Sequence, residues 1–294
     1  MVIPALSQTV YSGLVLGAIY ALMAVGLTLI WGSLRVLNLA HGALMMLGAY
    51  ISWLTAAWLQ LPPVLGLPLS VLSLTIIGFL LYSLLIAPMQ TRSGAETNTF
   101  IATAGFALAL ESLAQIIFGP RNKIQPFALE GSIQFAKITI SYQHILILIV
   151  AASALLILDA FLRRTRIGLA IRATAQEPVA AQLMGIRRDT IFLLVVGLSA
   201  ALAAISGVLL SSIYFIAPTF GFHPMLKSFI VCIFGGLGNV RGTLYAAFII
   251  GITEAVVSLF LGVRYALPVM FGLVILVLIF RPYGLFGQPE VLRQ

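Results

Sequence analysis

The sequence predicts an all-α, polytopic helical membrane protein of about eight or nine spans. Three observations carry this. Of 294 residues, 61% are hydrophobic and 8% are charged, against about 25% charged in an ordinary soluble domain. Mean hydropathy is +1.13. The apolar residues fall in runs of about 20, the length at which a helix crosses hydrocarbon. A soluble chain could not hide so much apolar surface, which excludes a soluble enzyme, a disordered chain and a secreted disulfide scaffold. Strands of an outer-membrane barrel would alternate apolar with polar residues, and these runs do not.

Spans are expected at 9–30, 36–59, 64–87, 97–118, 142–162, 191–216, 240–261 and 264–281. A ninth stretch, 219–236, is shorter. It carries His223, Pro224 and Lys227 at one end and Gly235-Gly236 at the other, so it reads as a short crossing or a re-entrant piece. Broken helices are tolerated only where protein or water surrounds them. Gly13 and Gly17, and Gly238 and Gly242, are four apart, a spacing that lets helices pack closely.

The 16 Lys and Arg against 8 Asp and Glu lie between the apolar runs. They mark cytoplasmic loops, and no polybasic stripe with aromatics points to nucleic acid. Loop 163–190 holds Arg163, Arg164, Arg166, Arg172, Arg187 and Arg188 and is expected inside. Nine crossings then put the N-terminus outside and the C-terminus inside. Arg35, Arg92, Arg241, Arg281 and Arg293 join the inner side, and Arg121, Lys123, Lys137, Lys227 and Arg264 the outer. A re-entrant 219–236 would flip the spans that follow. No charge precedes the first run, so that run is expected to remain in the mature protein. Loops 119–141 and 163–190 are too short for a soluble domain of about 50 residues. The chain therefore reads as one transmembrane domain, 1–294, with whatever soluble machinery it uses on other chains.

Nothing in the pattern calls for a cofactor or a metal. The three lysines follow Asn122, Ala136 and Leu226, so no Gly-Lys-Ser/Thr phosphate loop exists. Neither a His-Glu-x-x-His helix nor a Gly-x-Ser-x-Gly elbow is present. The single Cys232 forbids an intrachain disulfide.

Polar groups entering the bilayer remain. Asn38, His41 and Gly42 open the second span. Such groups line a solute path, or else Asn38 caps the helix and His41 sits among headgroups. Glu111 and Glu254 lie within spans. Each either lines a path or relays protons, or hydrogen-bonds to a neighbouring helix. In the inner loop, Val179, Leu183 and Ile186 recur at helical spacing between Pro178 and Gly185. Proline suits the first turn of a helix and glycine its end. The helix so formed either lies on lipid or docks a soluble partner through its apolar knobs.

Arg164-Thr165-Arg166-Ile167-Gly168-Leu169-Ala170-Ile171-Arg172-Ala173, followed by Ala181 and Gly185-Ile186, resembles the coupling loop of the branched-chain amino acid ABC transporter permeases. Three further stretches resemble motifs of the same family: Asn38-Leu39-Ala40-His41-Gly42, the turn from Phe234 to Gly242, and the ending from Arg281 to Gly287. The length resembles the smaller, high-affinity permease subunit. The resemblance implies two permeases, two ATPases and an extracytoplasmic binding protein in a bacterial inner membrane. Import would be driven by ATP hydrolysed on the partner chains. It also implies a path through Asn38, His41, Gly42 and Glu111, and coupling through Arg172, Glu177, Ala180, Ala181, Gly185 and Ile186. The Glu of the usual Glu-Ala-Ala-x-x-x-Gly pattern is absent at Val179. A urea or short-amide permease is the alternative within the family. Outside it stand a self-sufficient secondary transporter driven through Glu111 or Glu254, and a membrane enzyme using His41.

Overall fold

The computed structural model describes residues 2–287 apart from 91, 127, 128, 130, 136 and 137. Lys137 and Arg293, counted above for orientation, lie outside the described residues. In chain order the elements are α1 (Val2–Leu34), α2 (Ala40–Ala57), α3 (Gly66–Leu81) running through a π-turn (Tyr82–Ile86) into α4 (Ala87–Gln90), α5 (Ala95–Phe118), β1 (Ser132–Phe135), β2 (Ile138–Ser141), α6 (Tyr142–Arg164), α7 (Arg166–Gln176), α8 (Pro178–Leu183), α9 (Arg188–Ser211), α10 (Phe222–Gly235), α11 (Val240–Phe260) and α12 (Val263–Phe280).

Local chemistry sets many of these boundaries. The Ser141, Thr165 and Asn239 side chains accept the N–H groups of Gln143, Gly168 and Gly242, capping α6, α7 and α11. Seven helices among the described residues are long and apolar enough to cross a membrane. The polar residues of α2 and the 14 residues of α10 leave those two outside that set. The protein is a multi-pass helical membrane protein.

The core is built around α1, whose apolar stretch is 89% buried, against 11% for α5 and 17% for α12. Helix α11 packs antiparallel along α1. A Cβ at Gly13 would lie 2.8 Å from the Ile252 Cα, and one at Gly17 would lie 3.0 Å from the Phe248 Cα. The sequence-predicted close packing of this glycine pair is therefore real. In lipid, van der Waals fit rather than hydrophobic exclusion holds helices together.

Contacts sort the loops onto two ends. At one end Gln8 exchanges hydrogen bonds with Thr139, Lys123 pairs with Ile216, and Gln125 Nε2 donates to Ser52. At the other, Arg188 reaches Gln90, Tyr82 reaches Asp189, and Gly32 approaches Gly238. That second end, termed the inner end below after the charge bias expected of a cytoplasmic side, carries ten of the described basic side chains, including the six of loop 163–190. Besides the seven long apolar helices, α2 and the stretch 212–235 also run through the bundle, the latter from the Lys123–Ile216 bridge at one end to the Gly32–Gly238 approach at the other. The flip considered for a re-entrant 219–236 does not occur.

Several expectations need correction. The second helix starts at Ala40, not 36, and residues 35–38 are not helical, with Val36 and Asn38 buried among them. Helix α9 stops at Ser211, not 216, and 212–221 enters the bundle as turns. Loop 119–141 contains a two-stranded antiparallel hairpin pairing Ser132 with Ser141 and Phe135 with Ile138, an addition to the all-α class. The inner loop holds two helices, not one.

The α1–α11 seam yields a paired prediction. A Cβ at Gly251 would lie 2.6 Å from the backbone of Gly13 and of Gly17, whereas one at Gly272 meets nothing within 4 Å. Gly251→Val is expected to cost about 1–3 kcal/mol through overpacking, and Gly272→Val almost nothing. Thermal midpoints of the purified variants in detergent read the difference; equal midpoints would contradict the packing described.

Candidate translocation path and coupling surface

Two of the helices begin inside the bundle. Helix α2 starts beside the Met23–Gly26 stretch of α1, about 15 Å above the inner end of α1 at 1.5 Å per residue. Helix α10 starts at the same depth. A Cβ at Gly42 or at Gly221 would run into the backbone of the other, so the two N-termini touch through bare backbone. From this junction α2 runs outward and α10 inward.

Asn38 organises the start of α2. Its Oδ1 accepts the Ala40 N–H at 3.0 Å, and its carbonyl accepts the His41 N–H at 3.4 Å. The Leu39 N–H goes instead to Thr103 Oγ1 of α5, at 3.2 Å. Asn38 is 1% exposed, yet its Nδ2 has no partner among the described residues. It lines a small cleft with Leu27, Trp31, Leu37, Phe229 and Leu237.

His41 does not reach this cleft, nor does it sit at headgroup level. It is fully buried, with Nε2 3.1 Å from the Met23 carbonyl and Nδ1 3.4 Å from Ser199 Oγ. A carbonyl only accepts, so Nε2 carries a proton and a neutral ring takes the Ser199 hydroxyl on Nδ1. His41 therefore ties α2 to α1 and α9. Gly42 is a packing position against Gly221. The structure leaves Asn38, of these three, on the cleft.

Lys227 and Glu254, far apart in the sequence, are brought together. Lys227 Nζ lies 2.6 Å from Glu254 Oε1 and 2.9 Å from Tyr20 Oη, and the Tyr20 hydroxyl donates to Glu254 Oε2 at 2.7 Å. The lysine side chain is 18% exposed and the glutamate 7%. Lys227 is thus not an outer-surface charge, and Glu254 is not a lone carboxylate. A charge in hydrocarbon needs a partner, and this triad pins the short α10 to α1 and α11. With α10 so held, Phe222, Leu226, Phe229 and Ile233 form its more open face.

Glu111 is different. It is half-buried on α5, and among the described residues no hydrogen bond or ion pair engages it. Ser112 and Gln115 beside it are exposed. The exposed parts of α12 present Phe271, Ile275, Leu276 and Ile279, and those of α6 present Ile149, Leu156 and Ile157. A carboxylate and an amide at bilayer depth therefore distinguish α5 from these lipid-suited faces.

At the inner end, α7 and α8 form a small platform. Pro178 opens α8, and Gly185 follows it at φ +86°, as the spacing predicts. Leu183 and Met184 are more than four-fifths exposed, at 84% and 83%. Leu169 and Val179 are also exposed. Arg172, Glu177, Ala180 and Gly185 lie on the open side, whereas Ala181 is buried. Ile186 turns inward to pack on the core, so it is not the third apolar knob. Met184 takes that position, a residue the periodicity missed because it falls in the turn after the helix. The Gly-rich turn and the C-terminal motif, separate in sequence, interlock nearby. The Leu285 N–H donates to the Phe234 carbonyl at 2.9 Å, and Asn239 Nδ2 donates to the Phe286 carbonyl at 2.7 Å.

Comparison with known proteins bears on this arrangement. The family model described as "Branched-chain amino acid transport system / permease component" matches residues 9–280. The chain belongs to this family. It is therefore a transport permease and one component of a larger system, not an enzyme. Among its relatives is the high-affinity branched-chain amino acid transport system permease protein BraD of Pseudomonas aeruginosa. The two are 33% identical over 97% of this chain and 96% of BraD. The LivH protein of Escherichia coli, which has the same description, is 32% identical over 97% and 96%. A probable LivH of Methanocaldococcus jannaschii is 30% identical over 90% and 88%. The solved structure of PsaBC from Streptococcus pneumoniae in complex with Fab shares the fold. Its TM-score is 0.50 at 14% identity, covering 95% of this chain and 91% of that one.

The permease's triad gives a double-mutant test. Lys227→Met alone strands Glu254 in the bundle and is expected to destabilise by about 3–5 kcal/mol. Adding Glu254→Gln removes the stranded charge and should recover much of that loss. Thermal midpoints of the wild type, both single variants and the double variant measure the coupling; additive losses would mean that the pair does not act as a unit.

Proposed function

We propose that this permease is the membrane-spanning subunit of a bacterial inner-membrane ABC importer for branched-chain or other neutral amino acids. The observation that carries the reading is the α7–α8 platform. It shows Leu169, Val179, Leu183 and Met184 to solvent beside Arg172 and Glu177, in a chain with no phosphate-binding loop of its own. Exposed apolar anchors on a rigid short helix are what a docking partner buries. The partners are two ABC ATPase subunits at this platform, a second permease and an extracytoplasmic binding protein.

Solute passes along the side of the bundle where α5, the start of α2 and the open face of α10 meet. Asn38 and Glu111 supply polar contacts there, His41 and Gly42 hold the wall in shape, and the second permease covers the polar face of α5. ATP-driven closure of the ATPases moves α7 and α8. Helix α7 packs on α1 and α6, and α8 on α9, so the motion reaches the core helices directly. An aliphatic solute needs few strong polar contacts, which fits the sparse charge of these surfaces.

Leu183→Glu tests the docking. The side chain is exposed, so membrane level and thermal midpoint should stay unchanged. Substrate-stimulated ATP hydrolysis by the assembled complex should fall at least about tenfold, as expected for loss of an interface anchor. Wild-type stimulation in this variant would remove the platform from the coupling route.

A further inference from the structure

We propose that the corner between α6 and α7 binds an anionic phospholipid of the inner leaflet, with Arg164 and Arg166 on its phosphate and an acyl chain along α6. The inference goes beyond the import function and depends neither on the solute nor on the ATPases.

The first observation is direction. Among the described helices, only α6 carries basic residues in its last turn, Arg163 and Arg164. Helical side chains tilt toward the helix N-terminus. Because α6 finishes at the inner end, these two lean back toward the bilayer, and Arg163 indeed reaches Asp159, four residues earlier. Arg187, Arg188 and Arg241 sit where α9 and α11 begin, so they lean away from it. Arg188 is also taken up by Gln90 and the Phe192 ring, and Arg281 by the Leu285 carbonyl.

The second observation is charge. Asp159 is the only acidic residue from 131 to 176, and Arg163 Nε already holds it at 2.8 Å. Among the described residues no acceptor engages the side chain of Arg164 or of Arg166, and both are exposed. The corner therefore carries two uncompensated positive charges. A headgroup with net negative charge complements them, and a guanidinium can take two phosphate oxygens at once. A zwitterionic headgroup would bring its own cation to the same place.

The third observation is a fixed shape beside an apolar stripe. Thr165 Oγ1 donates to the Phe161 carbonyl at 2.7 Å and accepts the Gly168 N–H at 2.9 Å. A Cβ at Gly168 would run into the Phe161 and Leu162 carbonyls. Helix α7 thus turns off α6 without slack, and the two arginines keep their spacing. Outward from them, Ala160, Ile157, Leu156, Ala152 and Ile149 form one exposed stripe on α6. It runs for about 16 Å, roughly the depth of one hydrocarbon leaflet. A phosphate site at the foot of an apolar stripe of that length fits a lipid better than a soluble anion.

The test titrates the full-length permease, in a neutral detergent, with phosphatidylglycerol and with phosphatidylcholine of the same acyl chains. Phosphatidylglycerol should bind at least about tenfold more tightly, as two arginines at an anionic headgroup imply. Arg164→Gln with Arg166→Gln should abolish this preference at an unchanged thermal midpoint, because both side chains are exposed. Arg187→Gln with Arg241→Gln removes the same charge from the same end and should leave the preference intact. Arg164→Lys with Arg166→Lys keeps the charge and should retain part of it. Inorganic phosphate in large excess should not displace the lipid. Equal affinity of the wild type for the two lipids would overturn the inference without any variant. Equal losses in the two Gln pairs would overturn it too, by showing diffuse attraction to the whole inner end. Displacement by inorganic phosphate would make a soluble anion the occupant and remove the lipid.

Discussion

The structure depends on one constraint: inside hydrocarbon, every backbone N–H and C=O must find a partner within the protein. Most of the chain meets it with long continuous helices. Two places do not, the buried stretch before α2 and the turns before α10. Both are sealed by specific groups. Asn38 takes the Ala40 N–H, Thr103 takes the Leu39 N–H, and His41 bridges to the Met23 carbonyl. The two starts then close on each other through glycine backbones. Polar residues that would be liabilities in an unbroken span are here what makes the breaks tolerable.

Charge follows the same logic. Glu254 would be untenable alone among α1, α10 and α11. Lys227 neutralises it, and the Tyr20 hydroxyl fills a further acceptor site. Such a pair adds little net stability over an apolar one, because desolvation offsets attraction. Its consequence is geometric. Only 14 residues long, α10 has few turns with which to fix its depth and rotation. A short directional contact at 2.6 Å does that better than non-directional packing. The open face of α10 toward the cleft is thereby linked to a carboxylate on another helix.

The remaining polarity is distributed unevenly over the surface. Helices α6 and α12 show lipid-suited side chains, and α5 shows Glu111, Ser112 and Gln115. At the inner end, Leu183 and Met184 are exposed among arginines. Each surface is unsuited to the medium that an isolated chain would present to it. On the proposed reading, neighbours in an assembly cover both.

The class, and the number of crossings only approximately, were legible in the sequence, because hydrophobic length acts locally and needs no knowledge of contacts. The short helix from Pro178 to Leu183 was equally legible, since proline and glycine encode its ends in their own backbone geometry. The special character of Asn38 and Glu111 could be suspected for the same reason: a polar residue in an apolar run is visible at once. What each polar residue does was decided only by tertiary structure. His41 looked like Asn38 in the sequence and became a buried tie, and Glu254 looked like Glu111 and became half of an ion pair. Lys227 read as a surface charge because its partners are 27 and 207 residues away. The contact of Gly42 with Gly221, and of the Gly-rich turn with the C-terminal motif, left no local signal either. Sequence patterns report the medium in which a residue sits, and partner choice across a bundle depends on which helices lie side by side.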